Sequence, residues 1–345
     1  MPIVVNTNTS ATTASFNLGS ANEALRKSLG RLSSGKRITS PADDAGGLAV
    51  AYKLASKTNR TSAVMQNVQN SLSYLQVQDS SLQTVGKILD RIAELRTMAQ
   101  DITKNSGDIE NYSKEFVELQ SQLQQIKNET FNGISLFAAG IYDATNDPTM
   151  DRQDSVLGAS INGTHLQSFH RYGRTLYTHP GGQTNDGSIS INVTNLEYVL
   201  EVGTLSSENR SYWNGAGVAA ATNVNLGDVN SDNDDGAGTA DGINSSGFIE
   251  SIMGVSMSQL TAAIERLADV RAENGAEQNR AMEVMDMLRS NLTNLEAAHG
   301  RIMDADIALE STRLARYNVL VQAGAAMTAQ ANQLTNVALA LLAYS

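Results

Sequence analysis

Asp43 and Asp44 sit side by side in "SPADDAGGLAV", residues 40–50, next to Pro41 and the pair Gly46–Gly47. Two carboxylates held together can share a metal ion or divide the roles of acid and base between them. The surrounding residues do not supply what either chemistry needs. No His, Glu or third carboxylate lies at ligand spacing, and adjacent residues on a helix do not face each other. The same residues do make a joint between two helices. Pro41 disfavours helical geometry at Ser40 and suits the first turn of a new helix. Ser40 is then the expected N-cap. Asp43 and Asp44 fall in that first turn, where negative charge complements the helix dipole.

A second acidic stretch, "GDVNSDNDDGAGTADG" (227–242), places Asp228, Asn230 and Asp232 at positions one, three and five of a calcium-loop pattern. Position six calls for Gly and is Asn233; position twelve calls for a carboxylate and is Thr239. These three are the metal candidates of the chain, and a solvated acidic loop is the competing reading. The four histidines, His165, His170, His179 and His299, form no HExxH. There is neither a P-loop, nor GxGxxG after a strand, nor GxSxG, and no cysteine is present. The methionines of 252–303 fall on or beside helical seams and read as packing. The expectation is a chain with no catalytic residues and no cofactor.

The net charge of −11 argues against nucleic acid as the main partner, because phosphate binding needs a basic face. The acidity is concentrated: residues 138–247 hold 13 Asp and Glu against four Arg and no Lys. The opening "MPIVVNTNTS" has neither a basic n-region nor a long apolar one, so no secretory signal peptide is expected. No run of about 18 residues is apolar enough for a membrane span.

Three zones follow from periodicity. Residues 5–137 read as helix. Leu18, Leu25 and Leu32 recur every seven residues, with Leu29 at an i+4 position. A longer seam runs through Val64, Val68, Leu72, Leu75, Leu82, Val85, Leu89, Ile92, Leu95, Ala99 and Ile102, spaced almost throughout by three and four. After a turn signal at "KNSGD", Phe116, Leu119, Leu123 and Ile126 share one face, and Asn132-Gly133 predicts a tight turn into extended chain. Residues 138–247 lose the helical period, and "GSISINVTNLEYVLEV" reads as a strand or hairpin arm. Residues 248–345 are helical again, with a seam through Ile264, Leu267, Val284, Leu288, Leu292, Leu295, His299 and Ile302.

From Tyr317 to Ser345 the chain carries no charge. Leu320, Gly324, Met327, Ala331, Leu334, Ala338 and Leu341 alternate large and small there at heptad spacing. A helix with no charged face is either buried all round or unfolded when alone. The predicted fold is therefore mainly α: long antiparallel helices and coiled coils from both chain ends, with a small β- and loop-rich insertion. Much of its surface is expected to be covered by other copies of the chain.

"NTNTSA", "LRKSLGRLSSGKRITSPADDAGGLAVAYKL", "QNVQNSLSYLQVQDSSLQTVGKILDRIAELRTMAQ" and "ELQSQLQQIKNETFNGISLF" together resemble the N-terminal region of bacterial flagellins. "RAENGAEQNR", "NLTNLEAAHGRIMDADIALESTRLAR" and "VLVQAGAAMTAQANQ" resemble their C-terminal region. The resemblance implies a subunit that polymerises into the flagellar filament, exported through the flagellar pathway to the outside of the cell, with termini that order on assembly. It implies an inner core of 1–43 and 304–345, an outer core of 44–137 and 250–303, and a β-hairpin with surface insertion in 138–249. Assembly is expected to use Leu18, Leu25, Leu32, Asp43, Asp44, Leu320, Met327, Leu334 and Leu341. The partners implied are other copies of the chain, an export chaperone, the filament cap and the hook-junction proteins. By the same resemblance, Arg91, Leu95 and Glu118 match positions contacted by an innate immune receptor of the Toll-like class, while Asp90 and Ala93 differ from the commonest residues. Two other readings fit the ends of the chain: a hook–filament junction protein, and an adhesive or ion-binding relative.

Overall fold

The structure, a computed structural model, describes residues 8–138, 151–157, 160–161, 164–165, 168–183, 185, 187–203, 224–227 and 247–343, with the side chains of 151–171 and 334–343 outside that description. Its long helices are α1 (Thr9–Ser34), α2 (Ala45–Ala99), α3 (Ser106–Lys127), α5 (Met257–Met303) and α6 (Ile307–Ala343). Between α3 and α5 lie strands β1 (Thr130–Phe131), β2 (Ile134–Ser135), β3 (Phe137–Ala138), β4 (Asp151–Leu157), β5 (Ser160–Ile161), β6 (Thr164–His165), β7 (Ser168–Tyr177) and β8 (Ser188–Asn195). The short helix α4 (Leu196–Leu200) and strands β9 (Glu201–Gly203) and β10 (Val224–Asn225) follow. Two compact units result: residues 1–61 with 290–345, and residues 62–289.

The second unit holds the main core. Along α2 the side chains of Leu75, Leu82, Val85, Leu89, Ile92 and Leu95 are fully buried, and they meet Phe116 and Leu123 of α3 and Leu260 and Leu267 of α5. This is the expected seam, and it is almost wholly aliphatic. The seam stops earlier than its spacing suggests. The helix ends at Ala99, Asp101 accepts from the Thr103 amide at 2.9 Å, and Ile102 is 99% exposed. A side chain that satisfies the backbone locally competes with the next helical turn, and here it wins. Asn105 and Asp108 then start α3 with a reciprocal capping box.

At "FNGI" the predicted turn is present. Asn132 and Gly133 both have positive φ, 52° and 77°, between the two-residue strands β1 and β2, the geometry of a type I′ hairpin. The larger sheet has the order β3-β8-β7-β4, with β3 parallel to β8 and the other pairs antiparallel. The stretch read as one strand or hairpin arm is broken in the middle. Asn195 ends β8 and its side chain accepts from the amides of Glu197 and Tyr198, at 3.0 and 3.4 Å. It thereby caps α4 before β9 pairs with β10.

Buried amides tie these layers together. Gln120, fully buried, donates to the Ile249 carbonyl at 2.9 Å and accepts from the Ile249 amide at 3.0 Å. Gln78 donates to the Leu136 carbonyl and accepts from Asn274, which in turn accepts from Gln278. Each of these amides meets a complementary donor or acceptor, which is what makes its burial tolerable.

Candidate assembly surface

In the first unit, α1 and α6 pack antiparallel. Asn8 donates to the Ala331 carbonyl at 2.8 Å, Leu18 lies against Gly324, and Ser28 donates to the Glu310 carbonyl at 3.3 Å. The inward face of α1 carries Ala11, Ala14, Leu18, Ala21, Leu25, Ser28 and Leu32, a clean three-four repeat. Leu18, Leu25 and Leu32 are thus engaged within the chain, while Leu29 is off the seam and 57% exposed. Gly324 allows the close approach: a Cβ there would lie 3.3 Å from Leu18 Cδ1.

The face of α6 keeps Gly324 and Ala331 of the expected row but has Val321 and Thr328 where Leu320 and Met327 were expected. Leu314, Tyr317, Val321, Gly324, Thr328 and Ala331 are the half-buried residues. Leu320 and Met327 stand outside that row, 44% and 64% exposed, above a cleft of about 760 Å³ that they line with Thr13 and Asn17 of α1. The reason is that α6 is apolar or neutral all round from Tyr317, so its sequence offers several stripes of equal quality. Only the alternating Ala and Leu face of α1 decides between them. Leu334 and Leu341 belong to α6, but their side chains lie outside the described residues.

The pair is thinly cored. Ser28 is the one buried residue of α1, and among the described residues of this unit the buried apolar cluster consists of Ile38, Ala51 and Met303. Large apolar side chains face outward instead: Phe16 is 74% exposed, Val319 63% and Ile307 62%. These three were not singled out from the sequence, although taking the complement of the α1 seam exposes Phe16 at once. A helix pair that exposes large apolar side chains while burying so little of its own surface is a candidate for coverage by other protein.

At the joint, residues 35–37 pair with 303–305. Arg37 N–H donates to the Met303 carbonyl at 2.6 Å, the Ala305 amide donates to the Gly35 carbonyl at 2.9 Å, and the Arg37 guanidinium caps the Ile302 carbonyl. Gly35, with φ 68°, ends α1. Ser40 is not the cap of α2. The helix begins at Ala45, and Asp44 accepts from the Gly47 amide at 2.8 Å, three residues on. Asp43 instead closes the turn before it, accepting from the amides of Thr39 and Ser40 and from the Thr39 hydroxyl at 3.1 to 3.4 Å. It is also ion-paired with Lys27 and lies 3.9 Å from Arg31 of α1. The Lys27 ammonium, supported by these donors, holds the Asp43 carboxyl well below the usual carboxylate range, against the opposing effect of burial. A Cβ at Gly47 would make the Asp44 carboxylate shift from its place on the Gly47 amide.

Of the residues matched to receptor contacts, Arg91 is exposed and paired with Glu115 at 2.7 Å and Glu94 at 3.1 Å, which raises its pKa. Glu118 is exposed one turn beyond Glu115 on α3. Leu95 is fully buried in the α2 seam, so the structure does not place it on the same surface. The candidate ion ligands Asp228, Asn230 and Asp232 lie outside the described residues, as do the side chains of His165 and His170. His179 accepts from the Gly181 amide in a turn, and His299 is half-buried on α5. Among the described residues no helix is long and apolar enough to cross a membrane.

Residues 5–141 match the family model of the bacterial flagellin N-terminal helical region, and 257–342 that of the bacterial flagellin C-terminal helical region. Flagellin A of Vibrio anguillarum is 27% identical over 380 aligned residues, covering 99% of this chain and 100% of its own. The flagellin of Bacillus subtilis is 29% identical over 341, covering 98% and 99%. A crystal structure of Bacillus cereus flagellin aligns at 19% identity over 68% of this chain and 94% of that one, with a TM-score of 0.38. The matched regions are those of α1–α3 and α5–α6, and they define the class as a structural protein of the bacterial flagellum. The chain belongs to the bacterial flagellin family, the subunits of the motility filament that stands outside the cell.

Proposed function

We propose that the outward faces of α1 and α6 are the surfaces by which copies of this chain join in the filament. The observation that carries this is the exposed apolar set Phe16, Val319, Leu320 and Met327 on a helix pair with almost no core of its own. Such helices gain most of their stability when neighbours cover them, so ordering and assembly are coupled. In this reading 1–43 and 304–345 form the innermost layer, 44–137 and 250–303 the next, and 138–249 the surface insertion. Asp43 and Asp44 set the joint between the layers. The protein acts by assembly and not by catalysis, leaves the cell through the flagellar export pathway, and meets an export chaperone, the cap and the hook-junction proteins on the way. Arg91 and Glu118, both exposed, are the residues through which an innate immune receptor would read the monomer.

Met327→Asp tests the interface. In the lone chain the new carboxylate stands in water and should leave the thermal unfolding of the protein unchanged. In a packed interface an unpaired carboxylate is costly. Seeded polymerisation, followed by electron microscopy and sedimentation, should fail. Filaments of normal length from this variant would overturn the assignment of α6.

A further inference from the structure

The described residues contain the same dipeptide, Asn-Gly, in two opposite settings. Asn132-Gly133 is the exposed tip of the β1–β2 hairpin. Asn274-Gly275 lies inside α5, where Asn274 is 3% exposed. Asparagine followed by glycine is chemically unstable, because glycine has no side chain to hinder attack of its backbone nitrogen on the preceding side-chain amide. We propose that Asn132 is a site of spontaneous deamidation, and that the fold protects Asn274 from the same reaction.

The step needs only water. The Gly133 nitrogen loses its proton and bonds to Cγ of Asn132, and ammonia leaves with the side-chain nitrogen. The resulting five-membered succinimide is then hydrolysed at either carbonyl. One product is an ordinary aspartate in place of the asparagine; the other is isoaspartate, in which the chain continues through the side-chain carboxyl carbon. Each event adds one negative charge.

Ring closure requires that the side-chain amide, the following N–H and the intervening backbone torsion all be free to move. At the hairpin they are. A Cβ built at Gly133 meets nothing within 4 Å. β1 and β2 have only two residues each, so opening the tip disturbs little of the ladder. At α5 the same atoms are held. Asn274 donates to Gln78 at 2.7 Å and accepts from Gln278 at 2.6 Å, and the backbone is fixed in a helix of 47 residues. The product at the hairpin also has a consequence for its surroundings. Asn132 and Arg174 line one cleft of about 580 Å³ together with Tyr74 and Phe131. Deamidation places a carboxylate on the rim of a cleft that this cation also lines. Isoaspartate adds a backbone atom to a turn whose strands have no spare length.

The test is to incubate the full-length protein at mildly alkaline pH and to follow peptides containing Asn132 and Asn274 by mass spectrometry and by isoaspartate methylation. In the folded protein, conversion at Asn132 should outrun conversion at Asn274 by at least ~100-fold, since the latter must wait for a buried helix to open. In denaturant the two rates should converge. Equal rates in the folded protein, or an Asn132 as strongly protected by folding as Asn274, would sink the proposal. Two further Asn-Gly pairs, at 162–163 and 214–215, lie outside the described residues and are read as separate peptides.

Discussion

Asp43 concentrates more interactions than any other residue of the joint. Lys27 and Arg31 reach it from α1, and the Thr39–Ser40 turn donates to it from its own side. Its depressed pKa fixes the sign of the pH dependence. A carboxylate favoured in the folded form contributes stability that is fully present above its unfolded pKa of about 3.9. That contribution fades as the pH falls below this value toward the folded one. Asp43→Asn retains acceptors for the turn but loses the ion pairs with Lys27 and Arg31. At pH 7 the variant should show less hydrogen-exchange protection at amides 36–48 than the parent. The gap should narrow steadily below pH 4, and a gap unchanged at pH 2.5 would show that the charge is not what locks the turn. The sequence made the structural role of Asp43 and Asp44 legible, since proline, glycine and dipole arguments all pointed to a helix start. It did not reveal that the two divide the work, because that division depends on Lys27 lying across the joint.

At the scale of elements, helices and turns follow closely from local chemistry. The α2 seam, the capping box at Asn105 and the Asn132-Gly133 hairpin are set by residues within a few positions of each other. What local patterns missed are the places where a side chain satisfies a backbone group. Asp101 ends α2 before Ile102, and Asn195 ends β8 and starts α4. Gln120 is the long-range case, using both ends of its amide on Ile249, 129 residues away. Gln120→Leu preserves bulk but strands a buried N–H and a buried C=O. It should lower the urea-unfolding stability of the 62–289 unit by roughly 2–4 kcal/mol. A loss under about 0.5 kcal/mol would mean that water replaces the amide.

At the scale of the whole molecule the two units differ in kind. The 62–289 unit closes around aliphatic side chains that are wholly buried, whereas the unit built from the chain ends leaves Phe16, Val319 and Met327 in solvent. Local stability should follow this contrast. In monomer, amides of α1 and α6 should exchange far faster than those of α2 near Leu82–Leu95. In filaments the terminal helices should gain protection by orders of magnitude, while α2 changes little. Equal protection of α6 in both states would show that the lone helix pair is already stable and that assembly adds no order.

Several features needed nothing beyond the chain itself: a mainly helical fold, seams at heptad spacing, the joint at 40–47, the hairpin turn and the uncharged final helix. Each rests on periodicity or on turn and cap chemistry, which act over a few residues. The motifs at both ends were enough to suggest the flagellin family. Tertiary structure decided which stripe of α6 faces α1, because a helix equally apolar on all sides has no preferred face until a partner with a shaped surface selects one. It also decided where the α2 seam ends, leaving Ile102 in solvent although its spacing continues the seam. And it decided which of two identical Asn-Gly pairs is free to react, since that depends on how firmly the surrounding chain holds them.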